Sequence, residues 1–202
     1  VIPRRWRPLA RRAASVAVIA ATVTIARRAA PPTLDQRVTE ALARSRGSAL
    51  DHAVAAFTDA GSVFGLTGCS VVLAAGGETG LGLRTAAAGS LAWFAAQVTK
   101  DVVDRRRPYE LGTAELLVSV PHGSSWPSGH AAVAGAMADT LAHELPRAGG
   151  IAAWLVAVGV AASRLHVGVH HATDTIAGLA MGALAGEATR VAADAITSRR
   201  DA

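Results

Sequence analysis

The sequence predicts an all-α integral membrane protein, a helical bundle with five or six transmembrane helices. Four observations carry this. Hydrophobic residues make up 51% of the 202 residues, and 20 glycines lift the apolar share further, above the roughly 45–50% of soluble domains. The mean hydropathy is +0.33. The apolar residues fall into uncharged runs of up to 18 residues, divided by charge and turn signals, with no strand-like alternation. The arginines gather at the ends of those runs, as membrane flanks do.

Residues 1–12 form a basic tail containing Arg4, Arg5, Arg7, Arg11 and Arg12. Fourteen uncharged residues, 13–26, then read as a first span or anchor, or as the apolar core of a signal peptide. Arg27 and Arg28 stand where a cleavage site needs small residues, which favours the span. In residues 33–58, Leu34, Val38 and Leu42, then Leu50, Val54 and Phe57, repeat at helical spacing among charges. An amphipathic helical segment of this kind buries its stripe against the protein or lies in the membrane interface.

From residue 60 to 193 a helical core is expected. Residues 60–77 are 18 uncharged residues, and residues 79–99 hold one charge, Arg84. Residues 127–145 carry Asp139 and His143 towards their far end; 148–163 are 16 uncharged residues, and 175–186 are uncharged again. Runs of this length lie between a buried helix and a full span of about 20 residues. Asp139 is expected to face inward as a packing charge, and Trp126 to be an interfacial anchor. With six spans the basic residues divide ten to ten between the two sides. Setting aside Lys100, Arg107 and Arg164 as functional makes it ten to seven, for cytoplasmic termini.

Charge and cysteine usage exclude other classes. The net charge is +5, but 19 of the 20 basic residues are Arg, a usage that fits a GC-rich bacterial coding sequence. No basic stripe interleaved with aromatics appears, so no nucleic-acid partner is expected. Cys69, the single cysteine, has no partner for an internal disulfide. His122, His166 and His171 lack partners at metal-ligand spacing, so no metal is expected. His171 is read as lining the mouth of the site, and Arg105 and Arg106 as membrane flank.

Three polar segments fall at the mouths of apolar helices on one side: 100–108, 126–130 and 163–174. Lys100, Arg107 and Arg164 bring three cations to one place, which an anion would reconcile; Arg forks match phosphate oxygens. Pro127 suits the start of a helix, whose exposed Gly129 amide and Ser128 hydroxyl would face the same anion. His170 and Asp174, four apart, share a helix face. A carboxylate accepting the Nδ1 proton leaves Nε2 free to attack. His130, on another helix, can serve as the general acid.

These segments read K-x6-RP, PSGH and SR-x5-H-x3-D: Lys100 with Arg107 and Pro108, Pro127 to His130, and Ser163 and Arg164 with His170 and Asp174. In order and register they resemble the three signatures of the type 2 phosphatidic acid phosphatase superfamily. The likeness spans residues 100–174. It departs at Ala172, where relatives often carry Pro after an aromatic. The resemblance implies metal-independent hydrolysis of a lipid phosphate or diphosphate, with no cofactor. In it, His170 becomes a phosphohistidine and His130 acts as acid, then base, with Asp174 supporting His170. Lys100, Arg107, Ser128, Gly129 and Arg164 would hold the phosphoryl oxygens. Phosphatidic acid, phosphatidylglycerol phosphate and polyprenyl phosphates or diphosphates are the expected substrates, met at the outer face of a bacterial inner membrane. A soluble acid phosphatase, a vanadium-dependent haloperoxidase and a catalytically silent lipid-phosphate binder are the alternatives within and beside the superfamily.

Overall fold

Apolar runs too short to stand alone in water assemble here around one central helix. The computed structural model describes residues 7–28, 34–43 and 47–200, and among these there is no strand. Eight α-helices are described: α1 (Arg7–Ala26), α2 (Leu34–Leu42), α3 (Ser48–Phe57), α4 (Val63–Ala75), α5 (Thr79–Val98), α6 (Gly129–Glu144), α7 (Arg147–His166) and α8 (Ala172–Arg200). The central helix is α6, packed by α5, α7 and α8; α1 lies on α8 and α4 on α5.

Small residues set how close these helices come. A Cβ at Gly178 would meet the Ser128 carbonyl oxygen at 2.4 Å, and one at Gly182 the Ala132 oxygen at 2.3 Å. Only glycine permits that approach of α8 to α6, the mode of packing open to helices that gain little from hydrophobic burial in lipid. Buried alanines at 88, 92, 96, 132, 136 and 185 fill the contact with α5.

The helix boundaries refine the sequence reading. The first helix starts at Arg7 rather than at residue 13, because Arg11 and Arg12 have partners in the core: Asp139 and, at 2.9 Å, Glu187. Asp139 is buried, as expected for a packing charge. Arg4 and Arg5 of the expected tail, and residues 33 and 44–46 of the amphipathic segment, lie outside the described residues. Pro127 does not open α6; it stands just before the N-cap Ser128, whose Oγ accepts from the Ala131 amide.

The amphipathic segment is turned opposite to the inward reading. Leu34 is 77% exposed and Val38 and Leu42 are exposed with it, whereas Asp35 and Thr39 are buried. A polar face docks on the protein, and the apolar face looks outward.

Among the described residues, two helices, Pro8–Ala26 and Arg147–His166, are long and apolar enough to cross a membrane, and the pair Ala49–Gly61 and Val63–Ala75, bent by 63°, makes a third candidate. Phe64, Val72, Leu83, Phe94 and Leu155 are exposed on the outer faces, a surface suited to hydrocarbon rather than water. Trp126 is not part of that surface. Its side chain is 2% exposed and its Nε1 donates to Thr22 Oγ1 of α1 at 3.4 Å, which corrects the expected interfacial anchor.

Candidate active site

The C-terminal ends of α5 and α7 and the N-terminal ends of α6 and α8 meet at one end of the bundle. A 3₁₀ turn, Lys100–Val102, follows α5, and residues 103–128 lead into α6. The link from α7 to α8 is only residues 167–171. It turns on Gly168 at φ 78°, where a Cβ would lie 2.2 Å from the Glu115 carbonyl oxygen. That turn puts His170 and the first residues of α8 beside the start of α6, where the Ser128 amide donates to the Asp174 carbonyl at 3.0 Å.

His170 is 3% exposed, and its Nδ1 lies 2.7 Å from the Ser125 carbonyl oxygen. A carbonyl can only accept, so Nδ1 carries the proton and Nε2 keeps its lone pair. The Asp174 carboxylate stands further off, 3.7 Å from the same Nδ1. This corrects the sequence-based expectation: the backbone at Ser125, not the carboxylate, fixes the tautomer. Asp174 is wholly buried and is held by Ser125 Oγ at 2.5 Å, the His171 amide at 2.8 Å and Arg105 Nη1 at 2.7 Å. Burial chiefly, with Arg164 and Arg107 adding to it and Asp174 opposing, pushes the His170 imidazole down to about 3. At neutral pH it is uncharged.

Three cations surround this histidine. Lys100 feels the charges of Arg107, Arg164 and Asp174. Burial first, and then Arg107, pulls its ammonium down to about 8, and its Nζ donates to the Ser124 carbonyl at 2.9 Å. Arg107 is buried, and its fork donates to the carbonyls of His122, Gly123, Ser124 and Val169 at 2.9–3.2 Å. It organises the loop before α6 as much as it faces the pocket. Arg164 is buried, with Nη1 3.0 Å from Thr58 Oγ1 and an Nε that has no partner. An orphaned guanidinium donor is costly unless an anion completes it. None of the three forms a salt bridge among the described residues.

The start of α6 supplies the rest. Ser128 Oγ caps the Ala131 amide at 3.5 Å, and helix geometry leaves the Gly129 and His130 amides without an intrahelical acceptor. His130 lies within reach of the Arg164 and Lys100 charges. It also lines a cavity of about 580 Å³ walled by Leu66, Trp93, Phe94 and Val133 between α4, α5 and α6. All eight residues picked out from the sequence therefore converge on one end of the bundle.

Sequence reasoning missed Ser125, Thr58 and Arg105. Ser125 sits one residue ahead of the second polar segment, and that adjacency was the available signal. Thr58 lies far away in sequence and gave none. Arg105 is not membrane flank: its side chain is 12% exposed and bridges Asp174 and Asp35. Arg106 is exposed. His171 does not line the mouth, for it is buried with Nε2 3.2 Å from the Arg106 carbonyl. His166 ties α7 to Asp51 at 2.8 Å and to the Leu42 carbonyl.

Residues 80–196 match the sequence profile of the PAP2 superfamily. The chain belongs to the PAP2 superfamily. No curated protein sequence matches the chain significantly. Among solved structures, a transmembrane PAP2-type phosphatidylglycerolphosphate phosphatase from Bacillus subtilis superposes with a TM-score of 0.77 at 24% identity, over 92% of this chain and 97% of that one. LpxE from Aquifex aeolicus superposes with a TM-score of 0.71 at 23% identity, over 78% of this chain and 95% of that one. At these identities the likeness is one of fold. Family match and superposition agree, and the chain carries the helical PAP2 fold.

Proposed function

We propose that the chain hydrolyses a lipid phosphate or diphosphate monoester through a phosphohistidine on His170, with no metal in the reaction. The observation that supports this most directly is a neutral, buried His170 with Nε2 free, beside cations engaged in no salt bridge. Lys100, Arg164 and the remaining Nη1 hydrogen of Arg107, with Ser128 and the Gly129 amide, hold the phosphoryl oxygens and stabilise their charge in the transition state. His130 takes up the proton that the monoanionic phosphate brings in. His170 Nε2 attacks phosphorus as the bond to the leaving oxygen breaks, and His130 passes that proton to the leaving oxygen. The new imidazolium is stabilised by the Asp174 carboxylate across 3.7 Å. Water, giving its proton to His130, then attacks phosphorus, cleaves the P–N bond and frees phosphate.

The apolar cavity beside His130 supports a lipid substrate, because it continues the phosphate site with Leu66, Trp93, Phe94 and Val133. Phosphatidic acid, phosphatidylglycerol phosphate and polyprenyl phosphates or diphosphates fit this chemistry, and phosphatidylglycerol phosphate is the first probe given the fold neighbour of that specificity. In this reading α1 and α4 to α8 are six crossings of a bacterial inner membrane, and the site faces outward.

Phosphate release by the purified protein in detergent, from each of these three lipid classes, tests the proposal. Release from at least one should persist in chelator and stop with orthovanadate. His170→Ala should lower it by at least about 10⁴-fold, and His171→Ala by less than about tenfold. No release from any class, or release by His170→Ala near the wild-type rate, overturns the reading.

A further inference from the structure

The first turn of α8 carries Asp174, yet the groups that hold this turn come from far away in the chain. Asp35 on α2 accepts the Thr173 amide with Oδ1 at 2.8 Å and the Thr173 hydroxyl with Oδ2 at 2.8 Å. Thr39, one turn further along α2, accepts the Ala172 amide at 3.1 Å. The N-terminus of α8 is thus capped in large part by another helix, while Asp174 of its own first turn takes the His171 amide. Between the two carboxylates lies Arg105, with Nη2 2.6 Å from Asp35 Oδ2 and Nη1 2.7 Å from Asp174 Oδ1.

We infer that Asp35 and Arg105 are positioning residues for the phosphoryl transfer proposed above, acting on His170 through Asp174 and Ser125. The inference rests on that reading. Arg105 is the only cation in salt-bridge contact with Asp174 among the described residues. Its fork spends one arm on each carboxylate, so the place of Asp174 depends on where Asp35 stands. Asp174 Oδ2 in turn receives Ser125 Oγ, and the Ser125 carbonyl receives His170 Nδ1–H at 2.7 Å. A chain of hydrogen bonds, charge-assisted as far as the Ser125 hydroxyl, therefore runs from α2 to the attacking imidazole. Supporting contacts of this kind orient a reactive group without touching the substrate. The polar face of α2 is buried to make these contacts, while its leucines are left outside. That inversion of an amphipathic helix is explained if its docking serves Asp174.

Two isosteric or near-isosteric variants test this. Asp35→Asn still accepts the Thr173 amide but can turn an amide group towards Arg105. Arg105→Gln removes the bridge, and Arg105→Lys restores one arm of it. With phosphatidic acid, or whichever of the three lipids the wild type hydrolyses, Asp35→Asn and Arg105→Gln should each lower kcat by about 10- to 100-fold. KM and the inhibition constant for inorganic phosphate should stay within about threefold, because Lys100, Arg107 and Arg164 are untouched. Arg105→Lys should recover part of the loss. The double variant should be no slower than the slower single one, as coupled residues require. Arg11→Gln, at the opposite end of the bundle, serves as a control that lowers thermal stability and leaves kcat unchanged.

An active wild type with kcat within about threefold in both Asp35→Asn and Arg105→Gln overturns the positioning role and leaves the proposed function standing. A fall in kcat matched by an equal loss of phosphate affinity also overturns it, since that is the mark of a distorted pocket. No phosphate release by the wild type overturns the phosphatase reading, and this inference with it.

Discussion

Both ends of the bundle bury carboxylates beside arginines, but the two ends close their electrostatics differently. At the end where α1 begins, Asp139 pairs with Arg11, and Glu187 with Arg12 at 2.9 Å; Arg190 lies 3.8 Å from Glu187 and 3.5 Å from Asp194. Each of these three arginines has an anion in the chain. At the other end Asp174 is matched by Arg105, and among the described residues Lys100, Arg107 and Arg164 stand apart from any salt bridge. Two of them sit against backbone carbonyls; Arg164 keeps a buried Nε with no acceptor, as Arg190 does at the opposite end. But Arg190 has carboxylates beside it, and Arg164 has none in salt-bridge reach among the described residues. Closed pairs fasten helices. Open cations of one sign around a neutral imidazole invite an anion, and the contrast marks which end does chemistry even before any motif is considered.

The sharpest way to break the comparison is to remove one arginine from each end. Arg164→Ala should lower kcat/KM by about 10²–10³-fold, the loss seen when a donor to a developing oxyanion is removed. It should not cost thermal stability, because a repelling cation leaves a cluster of cations. Arg12→Ala should behave in reverse. Its partner Glu187 is left buried, so the protein should lose about 1–2 kcal/mol, a modest figure because Arg12 is 43% exposed. The kcat/KM of the folded fraction should be unchanged. Thermal unfolding and steady-state kinetics on the same preparations check both, and a crossed result would erase the distinction between the ends.

A smaller effect separates the cations within the site. Burial and Arg107 hold Lys100 at about 8, below its ordinary 10.5. Its proton is therefore lost as the pH rises through 8, and with it one phosphate-binding charge. The free enzyme's kcat/KM should fall above about pH 8. Lys100→Arg stays charged, so its profile should remain flat to about pH 10 even if its maximum is lower. An alkaline limb that does not move in Lys100→Arg would assign that limb to another group.

The legible part of this protein was the part written in local spacing. Apolar runs marked the helices, and the registers of residues 100–108, 127–130 and 163–174 marked eight residues that do converge. What could not be read were the links between distant segments. Arg105 looked like flank because the sequence carries no sign that Asp35, 70 residues earlier, completes its second arm. Thr58 could not be seen to hold Arg164, 106 residues away. Leu34, Val38 and Leu42 marked a helical stripe correctly, but periodicity cannot say which face docks when the polar face has buried partners of its own. The tautomer of His170 was assigned to the carboxylate four residues on, because i, i+4 spacing makes neighbours; the fold supplies a closer acceptor from a different loop.

That last difference gives the smallest and most discriminating prediction. Ser125 acts twice, with a carbonyl on His170 and a hydroxyl on Asp174. Ser125→Ala removes only the second contact. The backbone bond that fixes the tautomer survives, so the nucleophile remains competent, while Asp174 loses one of its three donors. The expected fall in kcat is about three- to tenfold, with KM and phosphate inhibition unchanged, the size of one lost hydrogen bond in a network that keeps its geometry. If the carboxylate itself held the tautomer, Asp174→Asn would release the proton from Nδ1, a change that imidazole 15N shifts would report and that the Ser125 carbonyl should prevent. With the carbonyl in that role, Asp174→Asn should cost more than Ser125→Ala, since it removes the charge that stabilises the imidazolium and leaves Arg105 buried against a neutral amide.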